Sequence, residues 1–406
     1  MVEDLPAVAA LYEPTSYPTF AIAAAARGVC RLVWVVDLAD ARLASRQRML
    51  RRFGALVDVH GRSGSDVTSE LASLGVRGII TFTDPPIRYA AAIADEMCLP
   101  FHSPTVATLV SDKWEQRRAL RDHGVPSAAF QLVPAGSRAP QGVAFPAVVK
   151  PRHGANARDV SRVDDQHGLR RALAASAHED MLVEQFLPYR TPRAEQKHYA
   201  DLVSVETVVR HGEPTHLGVT RRWPFDPPLR ESGSFVPDLT TGAARQEILD
   251  VATAAVAALG IRHSFLHIEI KVTPTGPHVV EVNGRLAGVV PELTLLAGGC
   301  DLLRQAFLLA LDQPLDEPVQ PERVGYLIWG HPPVGARSVR AVEGLDAVRR
   351  LPGVADVRLN RPPGSPVDWR EGALGHVYAV EGSAPDHASA FALREGVLRS
   401  VTVTYD

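Results

Sequence analysis

His267-Ile-Glu-Ile-Lys-Val-Thr-Pro-Thr-Gly-Pro-His-Val-Val-Glu-Val-Asn-Gly-Arg-Leu-Ala-Gly288 is the stretch that decides how this chain folds. Up to the break at Pro274 and Gly276, His267, Glu269 and Lys271 alternate with Leu266, Ile268, Ile270 and Val272. After it, Val279, Glu281 and Asn283 share one parity, and His278, Val280 and Val282 the other. Period-two patterning on both sides of a turn signal predicts a hairpin with one apolar face. If Glu269 stands opposite Glu281, then His267 faces Asn283 and Lys271 faces Val279, and Pro274-Thr275-Gly276 is left as a loop closed by glycine, a common hairpin connection. Like charges directly opposite each other destabilise a sheet, so something must neutralise them. Two carboxylates and an amide oxygen, with no thiolate nearby, suit a hard cation. Mg²⁺ takes few protein carboxylates and completes its octahedron with water and phosphate oxygens. Arg285, two residues beyond Asn283 on the same face, can grip a phosphoryl group with two N–H groups at once. The plain alternative is a solvent-facing strand pair whose acids sit in water.

The bulk composition sets the frame for this hairpin. A chain of 406 residues is too long for one ordinary core, so two or three domains are expected. A hydrophobic content of 46% with 22% charged residues is that of a globular protein. The net charge of −3 gives no global pull towards nucleic acid or an anionic membrane, and Arg51-Arg52 and Arg117-Arg118 read as solvated helix faces. Cys30, Cys98 and Cys300 are odd in number and widely spaced, which argues against a disulfide framework or a thiolate zinc site and for a reducing compartment. No stretch reaches membrane-spanning length and the start carries no signal-peptide pattern, so a cytoplasmic location is expected.

Outward from the hairpin, the chain falls into three parts. Over residues 1–105, strand-like Arg31–Asp37, Leu56–Val59 and Val76–Phe82 and a helix-like Ile87–Cys98 give the βαβ pattern of a parallel, Rossmann-like sheet. Its first candidate loop, Glu13–Pro18, has no glycine, so a dinucleotide bound in the Rossmann manner is not expected. Residues 106–311 mix strands and helices without strict alternation. A helix from Ser111 to His123 carries a capping-box pair, Asp112 and Glu115, and ends at Gly124. Strands follow at Ala147–Lys150, Met181–Leu187 and Val203–Val209, and helices at Leu169–Ala177 and Ile248–Leu259, with a polar loop over Tyr189–Tyr199. Pro314, Pro318 and Pro321 mark a boundary before a small α+β unit, 312–406. There Val324–Trp329, Val354–Leu359 and Gly375–Val380 read as strands, Asp386–Arg399 as a helix, and the stretch near Val342 as helix-like. The expected fold class is thus α/β followed by α+β.

The hairpin motif resembles the magnesium-binding signature of the ATP-grasp superfamily: His267-x-Glu269-x-Lys271, then Glu281-x-Asn283-x-Arg285-x-x-Gly288. The order of other pieces resembles it too: Asp112-Lys113, Gly124-Val-Pro126, Pro146-Ala-Val-Val-Lys150-Pro151, Val183-Glu184-Gln-Phe186 and Ser204-Val-Glu206. The resemblance implies a pre-ATP-grasp domain, an ATP-grasp module of two α+β lobes with a mobile lid near 145–200, and a small C-terminal domain. It implies ATP and Mg²⁺, with Mn²⁺ as a substitute. Glu269, Glu281 and Asn283 would hold the metal. Lys113 and Lys150 would reach the phosphates, with the backbone of Gly154 in the covering loop. Glu184 and Phe186 would lie at adenine and ribose, and Arg285 would stabilise the transferred phosphate. Glu206 stays open between nucleotide, substrate and the polar face of its strand. That covering loop, Arg152–Arg158, lacks the serines usual in the family, which throws the contact onto backbone N–H groups.

The C-terminal segments Gly325-Tyr-Leu-Ile328, Pro332-Pro333 and Pro362-Pro363-Gly364 resemble the terminal domain of the L-amino acid ligases, and Arg230–Pro237 resembles their substrate-side loop. Arg230, Glu231 and Gly288 would then border the substrate. The resemblance implies a ligase that activates an acid as an acyl phosphate and joins it to an amine. Its partners would be small molecules, without nucleic acid or membrane, and a homodimer is open. A different acceptor, such as bicarbonate or an amine that is not an amino acid, and a non-catalytic ATP-binding protein are the alternatives.

Overall fold

The computed structural model describes residues 5–15, 17–154, 157–192 and 195–406. The chain opens with β1 (Ala7–Leu11), α1 (Thr19–Ala26), β2 (Arg31–Val36), α2 (Gln47–Phe53), β3 (Gly54–Asp58), α3 (Gly64–Ser73), β4 (Val76–Thr81) and α4 (Ile87–Glu96). The four strands are parallel, in the order β3-β2-β1-β4, as the βαβ pattern predicts. Strand β1 is buried along its whole length. With three alanines and Leu11, Val8 is its single β-branched residue and it has no aromatic one. Because β1 lies between β2 and β4, the strand order reverses beside it. The loops leaving the C-terminal ends of β1 and β4 therefore border a crevice, the usual ligand position in an open parallel sheet.

Two helices lead out of this unit, α5 (Pro104–Ser111) and α6 (Lys113–Asp122). Ser103 caps α5 with Pro104 in its first turn, and Asp112 caps α6 by accepting from the N–H groups of Trp114 and Glu115. An antiparallel sheet follows, built from β5 (Phe130–Val133), β6 (Ala147–Pro151), β7 (Ser161–Val163) and β8 (Met181–Gln185) in the order β5-β8-β6-β7. It is backed by α7 (Gln166–Ala175) through a core that includes Val149, Leu169, Leu173 and Val183.

The largest sheet holds the hairpin. The chain continues through β9 (Leu202–Arg210), β10 (Glu213–Arg222), β11 (Gly233–Val236), α8 (Gly242–Ala258), β12 (Ser264–Thr273), β13 (Gly276–Asn283), α9 (Val290–Leu296) and α10 (Leu302–Ala310). It ends in β14 (Val324–Gly330), β15 (Val339–Glu343), α11 (Leu345–Val348), β16 (Val354–Leu359), β17 (Tyr378–Ala384), α12 (His387–Ser400) and β18 (Thr402–Tyr405). Eight antiparallel strands run in the order β13-β12-β9-β10-β11-β14-β17-β16, so the C-terminal strands continue the sheet that holds the hairpin. Helix α8 packs Ile248, Ala252 and Val256 against Ile268, Ile270, Val279 and Val282. Each of those four hairpin side chains is fully buried, which contributes about 1.5–3 kcal/mol apiece. The opposite face of β9 and β12 carries Ser204, Glu206, His267 and Glu269. Among the described residues no helix is long and apolar enough to cross a membrane.

Three local expectations are corrected. The hairpin loop is Pro274-Thr275, with Gly276 already paired to Thr273. A bulge at Val280 takes up the residue gained, so Lys271 faces His278 and Val279 turns into the core opposite Ile270. The stretch near Val342 is β15, paired with β18; its β-branched Val339 and Val342 suit a strand. The last long strand begins at Tyr378, because Trp369–Gly375 forms a 3₁₀ turn.

Candidate active site

Glu269 pairs directly with Glu281 across β12 and β13, and His267 with Asn283, the register expected from the sequence. Strand β13 is an edge strand, and α6 covers that edge. Gln116 donates to the Val282 carbonyl at 2.9 Å and accepts from its N–H at 2.8 Å. Arg117 donates to the Val280 carbonyl at the bulge. The unpaired backbone of the edge is thereby satisfied. Past Asn283 the chain turns at Gly284, where a Cβ would stand 2.7 Å from both His102 Nε2 and Val110 Cγ2. Only glycine lets α5 approach the end of the hairpin this closely.

Around this frame the cations converge. Lys113 Nζ lies 3.0 Å from Glu281 Oε1 and donates to the Gly154 carbonyl at 2.5 Å. Lys150 Nζ and Arg117 Nε reach opposite oxygens of Glu184, each at 2.8 Å. Burial lowers the Lys150 pKa even though Glu184 opposes the shift, and Glu184 is held below its ordinary value because Arg117 and Lys150 outweigh its burial. Phe186 lies under the Arg162 guanidinium, 4.6 Å from its ring centre, and edge-on to Tyr189. Gly154 has φ +131°, a conformation that favours glycine. The rest of the covering loop includes residues 155–156, outside the described residues.

A second cluster lies on the polar face of β9, β10 and β12. His267 Nδ1 is 2.9 Å from Glu206 Oε1, and His267 Nε2 is 3.4 Å from Glu269 Oε1. Arg222 sends Nε to Glu231 Oε2 at 2.7 Å, NH1 to Ser204 Oγ at 3.2 Å and NH2 to Glu269 Oε1 at 3.3 Å. Burial would lower the His267 pKa, but Glu206 and Glu269 raise it to about 9. Burial would raise Glu269, but the hydrogen bond from His267 and the Arg222 charge bring it to about 2. Glu231 is pushed up, chiefly by burial. Glu206, left open by the sequence, lies on the polar face of β9, buried and paired with His267.

The remaining expected residues divide. Arg285 faces the first domain, with NH2 2.7 Å from Asp84 Oδ2. Arg230 spends its guanidinium on the carbonyls of Pro227 and Pro332, at 3.0 and 2.7 Å, which leaves Glu231 as the charged group of that loop that joins the cluster. Gly288 is exposed, with open space where a Cβ would stand. Arg117 is corrected outright: it is 1% exposed, not a solvated helix residue. Its place four residues after Lys113, on the face shared with Gln116 and Leu120, was the available signal. Arg222 was missed because Pro214, His216 and Gly218 obscure β10. Asp84 had no signal, since its partner is distant in sequence.

The donor set fits a hard cation in chemistry: two cross-strand carboxylates and a neighbouring amide, with Lys113 already neutralising one of them. Among the described residues no group of three or more His, Cys, Asp or Glu side chains forms a metal cage, so any cation here would draw the rest of its shell from phosphate oxygens and water, as Mg²⁺ does.

Residues 143–292 match the family model of the ATP-grasp domain. An uncharacterized protein, y4rH, of Sinorhizobium fredii is 27% identical over 376 residues, covering 86% of this chain and 70% of that one. Carnosine synthase 1 of Gallus gallus is 29% identical over 199 residues, 45% of this chain, and that match spans only 20% of the larger enzyme. The crystal structure of an L-amino acid ligase from Bacillus licheniformis superposes with a TM-score of 0.77 over 99% of both chains at 18% identity, a likeness of fold.

Proposed function

We propose, for a chain that carries an ATP-grasp domain, that it is an ATP-dependent carboxylate–amine ligase. It would form an amide or peptide bond between amino acids or related acids through an acyl phosphate, releasing ADP and phosphate. The observation that carries this reading is the direct pairing of Glu269 with Glu281, with Lys113 against one carboxylate and Arg222 against the other.

In the first step a carboxylate oxygen of the acid attacks the γ-phosphorus of ATP. The bond to the β–γ bridging oxygen breaks, and its electron pair leaves with ADP. In the second, the amine lone pair attacks the acyl carbon, the carbon–oxygen bond to phosphate breaks, and the nitrogen gives up a proton. Glu269, Glu281 and Asn283 would hold Mg²⁺, which when bound neutralises charge on the phosphates. Lys113 and Lys150 orient the phosphates, and Arg285 meets the phosphoryl group as charge moves on its oxygens. Glu184 and Phe186 border the nucleotide. Closure of the segment near 145–200 would keep water from the acyl phosphate. Neither step needs an enzyme nucleophile, in keeping with a buried Cys30 and Cys300, both pushed up by burial.

The test is phosphate release from ATP and Mg²⁺ with a panel of amino acids, singly and in pairs, with dipeptide detected by mass. Release that requires an acid and rises with a second amino acid is expected. ATP binding without release under any combination would sink the ligase reading and leave a nucleotide-binding protein.

A further inference from the structure

The strand order of the first sheet reverses beside β1, and the loops bordering that crevice carry Tyr17 and Asp84. Asp84 holds Arg285 through NH2, and Arg285 NH1 donates to the Leu286 carbonyl at 3.3 Å. The third arm is different. Arg285 Nε is buried and has no hydrogen-bond partner among the described residues, and the same is true of the Tyr17 hydroxyl. Tyr17 is 4% exposed, and its ring is fixed edge-on against Phe82, with centres 5.7 Å apart. Burial raises its pKa well above the ordinary phenol value, so the hydroxyl stays protonated as a donor.

Two polar side chains that precede Tyr17, those of Tyr12 and Glu13, have partners. The Tyr12 hydroxyl accepts from Thr19 at 3.3 Å and from Arg46 at 3.1 Å, and Glu13 accepts from Thr83 at 2.6 Å. A buried donor without a partner costs about 1–3 kcal/mol, and most buried polar groups find one. The loop after β4 touches both, Tyr17 through Phe82 and Arg285 through Asp84, and two such donors at the usual ligand position of the sheet mark a place kept for an acceptor.

The geometry points to Tyr17 as a substrate-binding residue: its O–H and the Arg285 Nε–H together receive the carboxylate of the acid that is to be phosphorylated. This rests on the ligase reading for the identity of the anion. A phenol suits the task because it donates without adding charge. It therefore leaves the charge balance of the Asp84–Arg285 pair undisturbed. Lys113 and Lys150 lie instead beside Glu281 and Glu184, so Arg285 would be the cation shared by the acid and the phosphoryl group that moves to it, and Tyr17 would serve the acid alone.

The test is Tyr17→Phe, which removes only the hydroxyl. Without ligand, its melting temperature should equal or exceed that of the wild type, since an unpaired buried group is lost. The KM of the acid, and its Kd by calorimetry on protein loaded with ADP and Mg²⁺, should rise roughly ten- to a hundredfold, the loss of a hydrogen bond to a charged group. The KM for ATP should not move. An unchanged constant for the acid, an equal loss for ATP, or a lowered melting temperature would each overturn the assignment. Amino acids that bind more weakly to Tyr17→Phe, with no phosphate released by either protein, would uphold Tyr17 and defeat the ligase reading. Release by both proteins with equal constants would do the reverse.

Discussion

Two buried ion clusters flank the β12–β13 hairpin, and their charges are balanced in opposite senses. On the α6 side, Arg117 and Lys150 share one carboxylate, Glu184. On the β10 side, Arg222 and His267 answer three carboxylates, Glu206, Glu231 and Glu269. One cluster has a cation to spare and the other an anion. Burying an uncompensated charge is costly, and on the proposed ligase reading each surplus would be answered by what binds beside it: polyphosphate against Lys150, and a divalent cation against Glu269. The pairing of Glu269 with Glu281 lies on the seam between the two.

The comparison breaks most readily at that seam. Glu281→Ala should cut turnover about a thousandfold or more, because metal charge stabilisation is worth several kcal/mol. Its melting temperature should hold or rise, since the opposing carboxylates are separated. Near-normal turnover would remove Glu281 from the metal site. Next in size, Glu184→Leu and Arg222→Met should each lose about 3–5 kcal/mol of stability by stranding buried charges, measured by denaturant unfolding. Their rescue should differ. Millimolar Mg²⁺ should restore part of the loss in Arg222→Met, where carboxylates are stranded, and none in Glu184→Leu, where cations are. Equal responses would mean that the charge surplus does not select ligands.

The pH dependence sharpens the same contrast. Glu269 is held at about 2 against an ordinary 4.5, so its stabilisation is full above 4.5 and is lost as pH falls towards 2. His267 is raised to about 9 from 6.5, so its contribution is full below 6.5 and is lost as pH rises through 9. In metal-free buffer, melting temperature should therefore plateau between 4.5 and 6.5 and fall on both sides. Glu206→Gln should flatten the alkaline limb and leave the acid limb. An unaltered alkaline limb would show that Glu206 does not set the His267 charge.

These clusters mark where the sequence was legible. The hairpin register could be read because strand alternation is local and the face-to-face carboxylates at Glu269 and Glu281 are conspicuous. The first sheet could be read from Arg31 onward because β-branched runs alternate with helical spacing. What escaped is what distance in sequence hides. Arg117 looks like any helix-surface arginine until its partners, Glu184 and the Val280 carbonyl, are brought in from two other elements. The bulge that turns Val279 inward breaks the parity rule on which the pattern was read. Asp84 and Arg285 are 201 residues apart, so their ion pair is a product of the assembled domains.

The smallest effect should come from the residue that sets α6 in place. Asp112 caps the helix through Trp114 and Glu115 and also takes both Nε and NH2 of Arg152, the latter at 2.7 Å. Asn can replace the cap but not the charge, so Asp112→Asn and Asp112→Ala separate the two roles. Loss of a cap costs typically about 1 kcal/mol, while an ion pair to a partly exposed arginine contributes at most about that much. The expected order is wild type, then Asn within about 1 kcal/mol, then Ala about 1 kcal/mol lower again. If Ala and Asn prove equal, the hydrogen bonds to the helix N–H groups contribute nothing and the Arg152 pair is what anchors α6. Since α6 carries Lys113, Gln116 and Arg117, a cap effect on stability should be accompanied by a rise in the KM for ATP that is larger for Ala than for Asn.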